Sequence, residues 1–227
     1  MLPDAMTRVL KKFLPWTIAI DPIAPRTVWL KPGRRAVIRI TRATDGPAIQ
    51  AFVRGLSVQS RRNRFFSPVC ELSKDQIERI THSLPSEGLT LVCESMDAGE
   101  SRIIAMAQYV VDAPREAEFA LVVDDAYQRQ GLGNEMMGML GEHAARAGLA
   151  AFTGLVLYDN WPMLTLLSGL GCEFEADADP GVIRAVKRFD IHEGIRSRPI
   201  EEPGGVDPRE PVWHHEIRMQ YAKSFIY

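Results

Sequence analysis

Cysteine is scarce: Cys70, Cys93 and Cys172 are odd in number, widely spaced and form no CxxC pair. That excludes a disulfide framework and favours free buried thiols in a reducing compartment, so the cytoplasm is the expected location. No stretch approaches the ~20 consecutive apolar residues of a membrane span. Lys11-Lys12 before the apolar run Phe13 to Ile20 has the outline of a leader. The run contains Pro15 and passes into Asp21-Pro22 without a small-residue cleavage pattern, so a signal peptide is not expected. Nor does charge of one sign dominate, since 27 basic and 29 acidic residues leave a formal net charge of -2. A global attraction to nucleic acid or to an anionic membrane is therefore excluded. Internal repeats and low-complexity tracts are lacking as well.

What is present is an ordinary globular composition, 46% hydrophobic and 25% charged over 227 residues, enough for one well-buried domain with extensions. Residues 1–35 carry Pro3, Pro15, Pro22, Pro25 and Pro32 and read as an N-terminal arm. The domain proper is expected over 36–190, followed by a C-terminal extension over 191–227. Val37, Ile38 and Ile40 suggest a strand, and Thr44-Asp45 before Gly46-Pro47 suggests an N-cap for a helix to about Leu56. Val58 to Phe66 is a second helical region, and Ser73-Lys74-Asp75-Gln76 has the form of a capping box opening a third.

Leu89 to Met96, Ser101 to Val111 and Arg115 to Val123 read as three strands of an antiparallel meander. Leu132, Met136, Leu140 and Ala144 then form one stripe of a helix ending at Gly148. Ala151 to Leu157 is a strand, Asn160 to Leu170 a short helix, and Cys172 to Ala176 with Val182 to Phe189 a final strand pair. The fold class implied is α+β.

The chemistry concentrates at Gln128-Arg129-Gln130-Gly131-Leu132-Gly133, which joins a strand to the Leu132 helix. Glycines at a helix N-terminus let a pyrophosphate approach unpaired backbone N–H groups, and the helix dipole favours its charge. A Rossmann reading lacks the third glycine of G-x-G-x-x-G and its βαβ surroundings. The motif and the order of elements from Ala36 to Asp190 resemble the GNAT acyltransferase family, whose signature is Q/R-x-x-G-x-G/A. Asn160 and Gly171 also match the family's downstream Asn and Gly, whereas Cys172 replaces its Phe and Leu167 its frequent Tyr. Arg64-Phe65-Phe66, Ala117-Glu118-Phe119-Ala120 and Asn160-Trp161-Pro162-Met163-Leu164 are similar to segments of the bacterial protein lysine acetyltransferase (Pat-like) subgroup.

The resemblance implies a mostly antiparallel sheet, flanked by helices, that splays between its fourth and fifth strands to admit acetyl-CoA. Backbone groups of Leu121, Val122 and Val123 would pair with the pantetheine arm, though all three also read as plain core residues. Gln128, Arg129, Gln130, Gly131, Leu132, Gly133, Asn134, Asn160 and Met163 would complete the coenzyme A site. Glu118 is the candidate base, because an amine near pKa ~10.4 must lose a proton before attack. Strand alternation puts Glu118 with Ala120 and Val122, where a salt-bridged structural carboxylate is the competing role. Tyr158 is a candidate for protonating the leaving thiolate, with a packed aromatic as its alternative.

Arg61, Arg62 and Arg64 read as a solvated helix face rather than a nucleic-acid patch. His82 and His143 read as surface residues, and His214-His215 with Glu216 or His192 lacks the spacing of a metal site, so no metal is expected. Acetyl-CoA and an amine, either a protein lysine or a small molecule, are the expected ligands; a homodimer is left open. A non-catalytic acyl-CoA-binding module is the alternative, for which the missing Tyr is the hint.

Overall fold

The computed structural model describes residues 23–67, 69–82, 87–97 and 100–189. The leader-like run, most of the arm, the C-terminal extension and His192, His214, His215 and Glu216 lie outside them. One sheet in the order β1-β2-β3-β4-β5-β6-β8-β7 forms the centre. Its strands are β1 (Arg26–Leu30), β2 (Arg34–Ile40), β3 (Gly88–Asp97), β4 (Glu100–Ala113), β5 (Glu116–Val123), β6 (Ala151–Leu157), β7 (Glu173–Ala176) and β8 (Val182–Arg188). Every neighbouring pair is antiparallel except β5 and β6, which run parallel. This is the mixed α/β arrangement of the GNAT fold, and the seven strands from β2 to β8 are those expected from the sequence.

Among the described residues five α-helices cover the two faces: α1 (Gly46–Gly55), α2 (Val58–Phe65), α3 (Lys74–Thr81), α4 (Leu132–Arg146) and α5 (Trp161–Gly169). On one face Ile49, Phe52, Val53, Phe65 and Ile80 of α1 to α3 pack on Val92, Ile103, Met106 and Val122. On the other, Leu132, Met136, Leu140 and Leu167 of α4 and α5 pack on Leu91, Tyr109, Phe119 and Phe152. The predicted stripe of α4 is wholly buried, and Gly148 ends that helix with φ 78°. The capping box is formed: Gln76 N donates to Ser73 Oγ at 3.2 Å and Ser73 N to Gln76 Oε1 at 2.7 Å.

Several local readings change. The proline-rich stretch before Ala36 contributes β1 and the start of β2, and Arg26 of β1 pairs with Glu135 and Glu142 of α4. Asp45 precedes α1 but makes no side-chain capping bond to that helix. Its carboxylate takes Arg39 at 2.6 and 3.0 Å and the N–H of Arg42 at 2.8 Å. Burial raises the Asp45 carboxyl, and these bonds from Arg39 and Arg42 outweigh it, holding the group below its ordinary value. Cys93 is buried and its thiol is pushed up to about 12, chiefly by that burial; Cys172 is half-buried, whereas Cys70 is exposed.

His143 is a buried residue rather than a surface one, because α4 turns it onto β4, where its Nδ1 lies 2.8 Å from Tyr109 Oη. Burial, assisted by Arg146, depresses its pKa below the usual 6.5. The folded chain therefore refuses a proton that the unfolded chain accepts as pH falls through ~6.5, so stability is lost on the acid side. We expect the Tm to fall by a few degrees between pH 7.5 and 5.5, and by less in His143→Gln. Equal slopes for the two proteins in pH-resolved thermal melts would contradict this assignment.

Candidate active site at the divergence of two strands

The parallel ladder between β5 and β6 has only three rungs, Glu116 with Ala151, Ala117 with Phe152 and Glu118 with Thr153. The next residues in register, Phe119 and Gly154, end it. The Phe119 ring lies over Gly154 so closely that a Cβ there would stand 2.6 Å from the ring. Phe119 in turn packs on Phe152 with ring centres 6.0 Å apart. Beyond this wedge the strands separate, which is the predicted splay.

Backbone direction follows from the β4 pairing. Asp124 N donates to Ile104 O at 2.8 Å, so even-numbered residues of β5 turn their backbone groups to β4. Leu121 and Val123 consequently turn theirs to the opening, whereas the backbone of Val122 is committed to β4. All three side chains pack inward, with Leu121 and Val122 buried and Val123 half-buried. Gln128 Nε2 reaches back across this edge to Val123 O at 3.0 Å.

At the end of β5 the chain makes a short helical turn, Asp125–Tyr127, before α4. Arg129 and Gly131 take positive φ, 58° and 84°, and Gly131 is the N-cap of α4 without any side-chain capping bond. The N–H groups of Gly131, Leu132, Gly133 and Asn134 thus have no intrahelical acceptor and sit at the positive end of the helix dipole. Arg129, Gly131 and Asn134 are exposed there and Leu132 is buried. A Cβ on Gly133 would lie 2.6 Å from Leu166 and 3.3 Å from Leu121, so this glycine lets α4 approach α5 and β5. An anion fits this N-terminus on electrostatic grounds.

Two sets of contacts hold the loop. Asp125 accepts Ser57 N at 3.0 Å, Ser57 Oγ at 2.8 Å and Ser60 Oγ at 2.9 Å, pinning it to the start of α2. Burial raises the Asp125 carboxyl, but the Ser57 and Ser60 bonds prevail and keep it below its ordinary value. Gln128 adds a bond to Ser60 Oγ at 3.2 Å. On the other flank, Gln130 accepts Lys31 N at 2.9 Å, and Tyr127 Oη receives Arg34 at 3.3 Å and Arg102 at 3.1 Å. Gln128 and Gln130 therefore serve as braces of the loop, a role that their place in the motif alone does not disclose.

Glu118 lies half-buried at the last rung, on the α1–α3 face with Ala120 and Val122. Its charge acts on Arg64 of α2, which is 9% exposed and so lies inside, not on a solvated face. Arg62 instead reaches across the opening to Asp159 at 2.9 Å. Asn160 is the buried N-cap of α5, its Oδ1 accepting Met163 N at 3.4 Å; Met163 is half-buried. Tyr158 is 60% exposed and its ring lies against Gly181. Leu167 is fully buried in the α4–α5 core. No group of three His, Cys, Asp or Glu side chains able to hold a metal occurs among the described residues, and none of their helices is long and apolar enough to cross a membrane.

Gly154→Ala tests the wedge. Overpacking against an aromatic fixed on both sides costs about 1–3 kcal/mol. We expect a matching loss in denaturant unfolding, and an unchanged midpoint would show that the ring is free to move.

Residues 57–167 match the Acetyltransferase (GNAT) family. Among solved structures, the GNAT domain of PAT from S. lividans is 25% identical with a TM-score of 0.65, covering 73% of this chain and 97% of that one. The yncA protein of Salmonella typhimurium, solved with its cofactor acetyl-CoA, is 18% identical with a TM-score of 0.56 over 70% of this chain and 96% of its own. A cAMP-binding acyltransferase from Mycobacterium smegmatis is 22% identical with a TM-score of 0.51; the match takes in 99% of this chain but 61% of that protein. At these lower identities the likeness is one of fold. With the motif at the head of α4 and the splayed sheet, the segment Ser57 to Leu167 belongs to the GNAT acetyltransferase family.

Proposed function

We propose that the chain transfers an acetyl group from acetyl-CoA to a primary amine by direct attack in a ternary complex, in the cytoplasm. The observation that carries this reading is the uncapped N-terminus of α4 beside an edge of β5 that has no strand against it beyond Glu118, with that carboxylate at the last rung. The pyrophosphate would sit on the N–H groups of Gly131 to Asn134, and the pantetheine arm would pair with the Leu121 and Val123 backbone as an added strand. Arg129, Asn160 and Met163 flank that path.

Chemistry then needs few groups. The neutral amine nitrogen attacks the thioester carbonyl carbon, and negative charge gathers on the carbonyl oxygen, where a Leu121 or Val123 N–H can stabilise it. The proton lost by nitrogen passes to the Glu118 carboxylate and later to water. As the C–N bond is completed the C–S bond breaks. Coenzyme A leaves as a thiolate with a pKa near ~8.5, stable enough to take its proton from water, which suits a chain with Leu167 at the family's Tyr position. Tyr158 is the side chain proposed for that proton if one is used.

A protein lysine is the acceptor we favour, in keeping with the 25% identity to the PAT domain. A polyamine or aminoglycoside needs several available acids, whereas Asp159 is engaged by Arg62 and Glu118 faces Arg64. A non-catalytic acyl-CoA-binding role is the alternative. Incubation with acetyl-CoA and lysine peptides or small amines, with free thiol measured, separates them: coenzyme A binding without thiol release from any amine would overturn catalysis. Glu118→Gln is expected to lower kcat/KM by about 10²–10⁴-fold while coenzyme A affinity stays within about twofold. Full activity in that variant from pH 6 to 9 would remove Glu118 from the mechanism.

A further inference from the structure

The three arginines of α2 have three separate fates. Arg61 donates to the carbonyl oxygens of Leu56 and Arg54, and Arg62 pairs with Asp159 across the strand opening. Arg64 turns inward, its guanidinium carbon 4.9 Å from the Phe65 ring centre. Enclosing a guanidinium is costly unless an opposite charge faces it. Phe65, the neighbour of Arg64 on α2, packs with Val122 on the β5 face that also carries Glu118, so the enclosed guanidinium and the half-buried carboxylate lie under the same helix. Burial draws Arg64 down to about 10, and the charge of Glu118 opposes that fall. Glu118 in turn lies beside Ala120 and Val122, surroundings that by themselves favour a neutral carboxyl, which could not accept a proton.

We propose that Arg64 is the positioning residue for Glu118: its buried guanidinium, delivered from beneath α2, keeps that carboxylate ionised and directed at the β5–β6 opening. This rests on the reading of Glu118 as proton acceptor. The planar guanidinium fork also fixes the orientation of a carboxylate, which the point charge of an ammonium does less well. The other elements around Glu118 supply little competing charge. β6 offers Thr153 and Leu155 on this face; β4 offers Val110 and the buried Gln108, whose Oε1 has no hydrogen-bond partner. Asp112 at the β4 bulge and Glu116 at the start of β5 are the nearby acids on the β4–β5 side, and the Arg62–Asp159 pair closes the other.

The test is the pH dependence of kcat/KM for thiol release in Arg64→Gln, Arg64→Lys and Glu118→Gln, with coenzyme A binding and Tm as checks on folding. Arg64→Gln should move the acidic limb up by about one pH unit, so that activity is depressed at pH 6.5 and largely recovered at pH 9. Arg64→Lys, retaining a cation, should leave the limb near its wild-type position. A uniform loss at every pH in Arg64→Gln, with Glu118→Gln inactive, would overturn the positioning role and leave the base intact. Full activity in Glu118→Gln would overturn both. Should Arg64→Gln not fold, carbon NMR of labelled wild type decides, with the Glu118 signal identified by its loss in Glu118→Gln. A fully ionised Glu118 carboxyl at pH 6 is expected, and a protonated one refutes the proposal.

Discussion

The contact between the Phe119 ring and Gly154 is the constraint from which the rest of the site follows. Parallel strands side by side would normally satisfy one another along their whole length. Here the ladder stops after Glu118 and Thr153 because the next rung is an aromatic ring laid across a residue with no side chain. The consequence is an edge of β5 whose Leu121 and Val123 backbone groups have no strand beside them, together with a carboxylate at the apex. Buried backbone groups need partners, and an extended ligand can supply them there.

A second constraint fixes where that ligand's anion would rest. The loop before α4 contains two residues with positive φ, and such a loop keeps one shape only when held from outside. Asp125 and Gln128 fasten it to α2, while Gln130 and Tyr127 fasten it to the β1–β2 hairpin and β4. Helix α2 therefore serves both sides of the site, presenting Ser57 and Ser60 to the loop and burying Arg64 where the charge of Glu118 acts on it. It is short and rich in arginine, so its place in the fold comes from these contacts and from Phe65 more than from helix propensity.

The readings that succeeded are those with local causes. Helix α4 follows its four-residue apolar stripe and Gly148, α3 starts at a box of Ser73 and Gln76, and Glu118 shares a face with Ala120 and Val122 by alternation alone. Those that changed depend on a distant partner. Arg64 is buried because Phe65 and the β5 face lie beneath it, and His143 because β4 presents Tyr109. Asp45, in a capping position, is drawn away by Arg39 on β2.

By itself, then, the sequence determined the order of elements from β2 onward and the glycine turn at the head of α4, since periodicity, caps and φ requirements act over a few neighbours. Only the tertiary structure decided which backbone groups of β5 face the opening, that Val122's are committed to β4, and that Arg64 is buried where the charge of Glu118 acts on it. Those facts depend on strand register and on the face each helix buries, which are settled between segments far apart in the chain.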